Sequence, residues 1–226
     1  MEKFGIKIVA LSETKAIIER KTSESEARVE VEFGNRRRCA IKTQVEFLSH
    51  MLQTLAWNCG FNLKLTYTAK SYKLTHVVFE DTGIILGRAL REVLVKRIAA
   101  SGVNARGANA RGLVVDLGIL DEAGVLVGIS VEGRPEFNLV SLNRGMRVKE
   151  ILSGGVEDAR ACDLDDFLKG FALGMGASVN VYLLSGKDPH HLWESVFRGL
   201  GCALEQAFEK NEFRKGACAG VKETMG

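Results

Sequence analysis

One segment of the chain is written twice. His76-Val77-Val78-Phe79-Glu80 returns 114 positions later as His190-His191-Leu192-Trp193-Glu194, and the register then holds, with Leu86-Gly87-Arg88-Ala89-Leu90 against Leu200-Gly201-Cys202-Ala203-Leu204. Upstream, the run from Ser49-His50 to Gly60 lines up with the run from Asp165-Asp166 to Gly176 at nearly the same offset. A chain built from two copies of one unit has two equivalent apolar faces, and burying one against the other is its simplest route to a core.

Each copy reads in the same order. Residues 4–10 and 15–19 carry β-branched runs, 27–33 alternates with period two up to Gly34-Asn35, and 39–43 reads as a further strand. Apolar residues at helical spacing follow over 45–57, with Met51 and Trp57 read as core and Gly60 as a stop, then a strand at 61–67 and a long helix over 76–96. The second copy gives strands at 112–120, 124–132, 137–140 and 178–184, and helices at 164–173 and 190–210. The expectation is an α+β fold made by internal duplication: a first half-repeat over 1–100, a linker rich in Gly, Ala and Asn over 101–111, and a second half-repeat with a C-terminal tail over 112–226. Two sheets, each with helices on one face, would pack helix layer against helix layer.

Composition excludes several classes. A net charge of +3 is too small to argue for nucleic acid or an anionic membrane, and the one compact basic run, Arg36-Arg37-Arg38, reads as a solvated hairpin tip. Five cysteines without C-x-x-C spacing give neither a disulfide framework nor a thiolate metal site. The longest apolar stretches, such as 124–130, are far short of a bilayer span, and the N-terminus lacks a basic segment leading into an apolar core. A soluble protein of the reducing cytoplasm is expected.

All four histidines fall inside the duplicated blocks. On a helix, His and Glu four apart share a face, so His76 with Glu80 and His190 with Glu194 can each grip one divalent ion from a single turn. A single such pair is ordinarily just an exposed helix pair; two in register point to metal. His191 projects about 100° from His190 and cannot serve the same ion. By pseudo-symmetry His191 completes the ion held by His76 and Glu80, while position 77, which is Val77, should complete the ion held by His190 and Glu194. His50 and its repeat partner Asp166 are available as additional ligands. Imidazole and carboxylate without thiolate suit manganese, iron, zinc, cobalt or nickel.

These residues resemble the imidazoleglycerol-phosphate dehydratase family. The likeness runs from Glu19-Arg20-Lys21-Thr22-Ser23-Glu24 through Phe47-Leu48-Ser49-His50-Met51-Leu52, the segment His76 to Asp81 where the family usually has His-His-Thr-Val-Glu-Asp, Leu120-Asp121-Glu122-Ala123, Gly133-Arg134-Pro135 and His190-His191-Leu192-Trp193-Glu194, to a glycine-flanked tail with Lys222. The resemblance implies two four-stranded sheets with helices sandwiched between them and a homo-oligomer of 24 subunits with two manganese sites lying between subunits. It carries ligand positions onto His50, His76, Glu80, His190, His191 and Glu194; a seventh falls on Asp166 and the eighth on Val77.

The implied activity is a hydro-lyase of histidine biosynthesis. It removes water from imidazoleglycerol phosphate, a small phosphorylated imidazole, to give imidazole-acetol phosphate. Glu24 matches the acid/base, Arg134 and Lys222 match phosphate-binding positions, and a further family arginine falls on Arg106 or Arg111. The chain departs from the family pattern at Val77, at Asn58 and at Gly220. Those departures support an alternative, a divergent paralogue of the same fold with partial metal binding and lost or altered dehydratase activity.

Overall fold

The computed structural model describes residues 4–71, 74–101, 104–105 and 117–211. Arg106, Arg111 and Lys222, together with Gly220 and most of the expected linker, lie outside the described residues.

The first half runs β1 (Gly5–Leu11), β2 (Lys15–Lys21), β3 (Ser25–Phe33), β4 (Ala40–Lys42), α1 (Glu46–Cys59), β5 (Phe61–Ala69) and α2 (Thr75–Ser101). After the short β6 (Asn104–Ala105), the second half runs β7 (Leu117–Leu120), β8 (Ala123–Ser130), β9 (Glu136–Ser141), α3 (Val148–Leu152), the hairpin strands β10 (Gly155–Val156) and β11 (Ala159–Arg160), α4 (Ala161–Met175), β12 (Ser178–Ser185) and α5 (Pro189–Ala207). The last element, β13 (Lys210–Asn211), pairs antiparallel with β6.

The period-two patterns do what alternation dictates. Ala27, Val29 and Val31 of β3 and Phe61, Leu63, Leu65 and Tyr67 of β5 are buried on one face, while Arg28 and Lys64 between them face out. The two sheets are ordered β1-β2-β3-β5-β4 and β7-β8-β12-β9. Read from β2, the orders are equivalent: two antiparallel pairings followed by a parallel one, β4 with β5 and β9 with β12. The duplication seen in the sequence is therefore a duplication of topology. The first sheet carries one more strand than the four expected, because β1 adds antiparallel to the outside of β2. β1 buries neither face, so it lengthens the hydrogen-bonded ladder without enlarging the core.

Helices of one half pair with helices of the other, α1 with α5 and α2 with α4. Their shared interior holds Leu48, Met51, Leu52 and Leu55 of α1, Phe79 of α2, Phe167 and Phe171 of α4, and Trp193 and Phe197 of α5, all essentially inaccessible to solvent. At roughly 1.5–3 kcal/mol for each fully buried large apolar side chain, this layer is the main source of cohesion between the halves. The α2–α4 crossing is close enough to require glycine: a Cβ on Gly174 would stand 2.1 Å from the Ile84 carbonyl oxygen, and one on Gly87 would stand 2.3 Å from that of Phe171. Both α1 and α4 stop at a glycine in the left-handed region, Gly60 (φ 77°) and Gly176 (φ 63°), another equivalence between the halves.

Several expectations are corrected. α2 continues to Ser101, into the expected linker, and α5 ends at Ala207 rather than at 210. α4 starts at Ala161, three residues early, because the unanticipated β10–β11 hairpin leads directly into it. Met51 is in the core, but Trp57 is 62% exposed and lies under the guanidinium of Arg36, 4.1 Å from the ring centroid. Among the described residues no helix is long and apolar enough to cross a membrane.

Candidate metal centre

Two helix starts from opposite halves build the centre. α5 is capped by Asp188, which accepts from the backbone N–H of His190 at 2.7 Å and of His191 at 3.3 Å, with Pro189 preset for the first turn. α1 begins after Val45, which has no side chain able to cap it. Asp158, from the β10–β11 turn, takes that role and accepts from the N–H groups of Glu46 at 2.7 Å and Phe47 at 2.9 Å.

Where α1 meets α5, Nε2 of His50 stands 3.1 Å from Oε2 of Glu194, and Nε2 of His190 stands 3.3 Å from the same oxygen. One ligand atom from each of the three residues lies within 4.8 Å of the others, the one such gathering of three or more His, Cys, Asp or Glu among the described residues. The Glu194 carboxylate is divided between two tasks. Arg198, one turn on, donates to Oε1 from Nη2 at 2.7 Å and Nε at 3.1 Å, leaving Oε2 to the imidazoles. Burial pushes the Glu194 pKa up, but the hydrogen bonds from Arg198 and His50 outweigh it and hold the group below the usual glutamate range. The far nitrogen of His190, Nδ1, is 3.0 Å from Oε1 of Glu157, and its ring stands edge-on to Phe47. A cleft of about 300 Å³ opens beside His50 and Glu194, lined also by Gln53, Thr54, Trp57, Asn58 and Arg198. Two imidazole nitrogens and a carboxylate oxygen converging on one point, with no thiolate, form a donor set that fits a divalent transition-metal ion.

The other candidates are placed differently. His191 turns away from this group: Nδ1 is 2.8 Å from Oε2 of Glu122 and Nε2 is 3.4 Å from Oδ2 of Asp121. Glu122 also accepts from the backbone N–H of Asp188 at 2.8 Å and of Lys187 at 2.9 Å. The bond from Asp188, then that from the His191 ring, then that from Lys187 bring its pKa down to about 2. His76 and Glu80 are exposed at the start of α2 and make no hydrogen bond or ion pair among the described residues, with Val77 half-buried between them. Asp166, half-buried on α4, has Lys169 at 3.6 Å. Within one chain these three, with His191, form no gathering comparable to that around Glu194 among the described residues.

Glu24 is exposed in the β2–β3 turn, where its carbonyl accepts from the Lys70 N–H at 2.7 Å. Its neighbour Ser25 donates to the buried carboxylate of Asp81, which also binds Arg20, and this fastens the turn to α2 beside Glu80. Arg134 is exposed and donates to Glu132 at 2.6 Å. Three contributors were not singled out from sequence. Arg198 had a signal, its i+4 spacing from Glu194, whereas Glu157 and Asp158 reach the centre only through the unanticipated hairpin.

The pattern of the imidazoleglycerol-phosphate dehydratase family matches residues 43–204. The imidazoleglycerol-phosphate dehydratase of Pyrococcus furiosus is 34% identical over 172 residues, covering 76% of this chain and 84% of its own. That of Clostridium botulinum is 29% identical over 225 residues, covering 96% and 99%. A crystal structure of the Pyrococcus furiosus enzyme superposes with a TM-score of 0.65 at 28% identity, covering 91% of this chain and 99% of that one. Nothing in these likenesses favours the alternative of a divergent paralogue with partial metal binding and lost or altered dehydratase activity. The chain belongs to the imidazoleglycerol-phosphate dehydratase family, metal-dependent hydro-lyases of histidine biosynthesis that act on a phosphorylated imidazole.

Proposed function

We propose that this chain dehydrates imidazoleglycerol phosphate with manganese held by His50, His190 and Glu194. The observation that carries the reading is the convergence of His50 Nε2, His190 Nε2 and a Glu194 oxygen within 4.8 Å, built from helices of both halves. Bound there, the ion supplies positive charge that orients the substrate ring and stabilises negative charge developing as water is lost.

The remaining residues divide the other tasks. His50 and His190 present their Nε2 atoms, and Arg198 keeps the Glu194 carboxylate ionised and fixed. Glu24 takes the carbon-bound proton, the hard step because no carbonyl stands beside that carbon. Arg134 exchanges its partner Glu132 for the substrate phosphate, with Lys222 and either Arg106 or Arg111 as further cations. A second ion is held by His76, Glu80 and Asp166 of one subunit with the partner subunit's His191. That arrangement needs a homo-oligomer, read as 24 subunits, and it would cover Glu24 and His76, which are exposed in the single chain. The half-repeats 1–100 and 112–226 are the duplicated units, and the setting is the cytoplasm, with neither nucleic acid nor membrane as partner.

Metal analysis of the purified protein tests the reading. About two manganese ions per subunit are expected when both sites fill and one when only the Glu194 site does; none after dialysis against excess manganese would overturn it.

A further inference from the structure

The β10–β11 hairpin has a two-residue turn, Glu157-Asp158, between the pairs Val156↔Ala159 and Gly155↔Arg160. Val156 and Ala159 are buried and anchor the hairpin in the protein, while both turn residues are exposed. The two turn residues point to two different helices. Asp158 caps α1 in place of the side chain Val45 lacks, gripping the N–H groups of Glu46 and Phe47, one turn before His50. Glu157, held at a positive φ of 50°, carries its carboxylate to Nδ1 of His190 on α5, 3.0 Å away.

We propose that Glu157 and Asp158 are positioning residues that set the spacing and ring orientation of the metal centre before any ion arrives. This rests on the reading of His50, His190 and Glu194 as ligands. The physical argument concerns orientation rather than cohesion. An imidazole binds a metal through one nitrogen, and the hydrogen bond made by the other decides which one and at what angle. Glu157 stands 3.0 Å from Nδ1 and can accept a hydrogen bond from it, which would leave the Nε2 lone pair, turned toward Oε2 of Glu194, for an ion. Asp158 does the equivalent for His50 through the backbone. It satisfies N–H groups at the helix start that would otherwise be unpaired, and so fixes the turn that ends at His50. Two adjacent residues thereby tie the ligand helices of both halves to one turn, Glu157 through the outer nitrogen of the His190 ring and Asp158 through the backbone of α1.

The test uses the full chain and manganese alone. Manganese titration by calorimetry is run on the unaltered protein, on Glu157→Ala and on Glu157→Gln, whose amide oxygen can still accept from Nδ1–H. In parallel, 15N spectra of the histidine rings are recorded on metal-free protein; with four histidines in the chain, His190 is assigned by its own substitution. The expected results are binding weakened about 10–100-fold in Glu157→Ala, most of it regained in Glu157→Gln, and a protonated Nδ1 on His190 that is lost in Glu157→Ala while the thermal midpoint barely moves. Equal affinity in all three proteins would overturn the proposal, as would a bare Nδ1 on His190 in the unaltered metal-free protein. If the unaltered protein binds no manganese, the metal reading fails, and the ring spectra alone then decide whether Glu157 sets the His190 ring.

Discussion

Nε2 of His50 and Oε2 of Glu194 stand 3.1 Å apart, although 144 residues separate them in the chain. The contact exists because α1 of one half crosses α5 of the other. At that crossing Gly201 leaves no room for a Cβ, which would come within 2.9 Å of the Leu55 carbonyl oxygen. The centre is therefore a product of the duplication: neither half holds it alone.

Glu194→Gln should remove the charge that both imidazoles and Arg198 share. Manganese affinity should fall by more than the ~10–100-fold cost of losing an outer partner of a ligand. Calorimetric titration checks this, and circular dichroism shows whether the fold is kept.

Val77→His supplies an imidazole where pseudo-symmetry asks for a ligand. Manganese retained per subunit after gel filtration, measured by atomic absorption, should rise. Unchanged occupancy would show that position 77 does not reach the second copy's Glu194 site.

Gly174→Ala places a methyl 2.1 Å from the Ile84 carbonyl oxygen, a backbone atom that cannot step aside. Overpacking of this kind costs about 1–3 kcal/mol, and the α2–α4 crossing should be at the upper end. The measurement is the urea midpoint, with Leu173→Ala on the exposed face of the same helix as the comparison.

Glu122 predicts a pH dependence of stability with a definite sign. Its folded pKa is lowered from the ordinary 4.5 to about 2, first by the Asp188 N–H and then by the His191 ring. A depressed carboxylate stabilises the fold above its unfolded value, and that contribution disappears as pH falls from about 4.5 toward 2. Melting temperatures of the unaltered protein and of Glu122→Gln should therefore differ at pH 7 and converge as pH approaches 2. A gap that widens on acidification would contradict the assignment.

Much of the fold was legible because repetition is a strong signal. Once His76 to Glu80 and His190 to Glu194 are aligned, the strand and helix order of one half predicts the other, and the topology repeats it. Trp57 was misread because periodicity reports which face of α1 is apolar, not that a basic loop will lay Arg36 across its end. The pairing of His190 with Glu194 was readable from spacing, since four residues make one helical turn. Its third member, His50, was visible as a repeated position and through the family motif Phe47 to Leu52, not from spacing along one helix. Glu157 and Asp158 were invisible: two short strands around a polar turn have no periodicity to betray them, and their partners lie in elements distant in sequence.

The central claim is that these ligands hold an ion that turns over the family's substrate. Its most direct test is the rate of imidazole-acetol phosphate formation from imidazoleglycerol phosphate by protein stripped with chelator, before and after manganese is restored. The account predicts negligible turnover without the ion and recovery with it, abolished again by Glu194→Gln. Equal turnover in the stripped and restored protein, or none in either while manganese occupies the site, would contradict it.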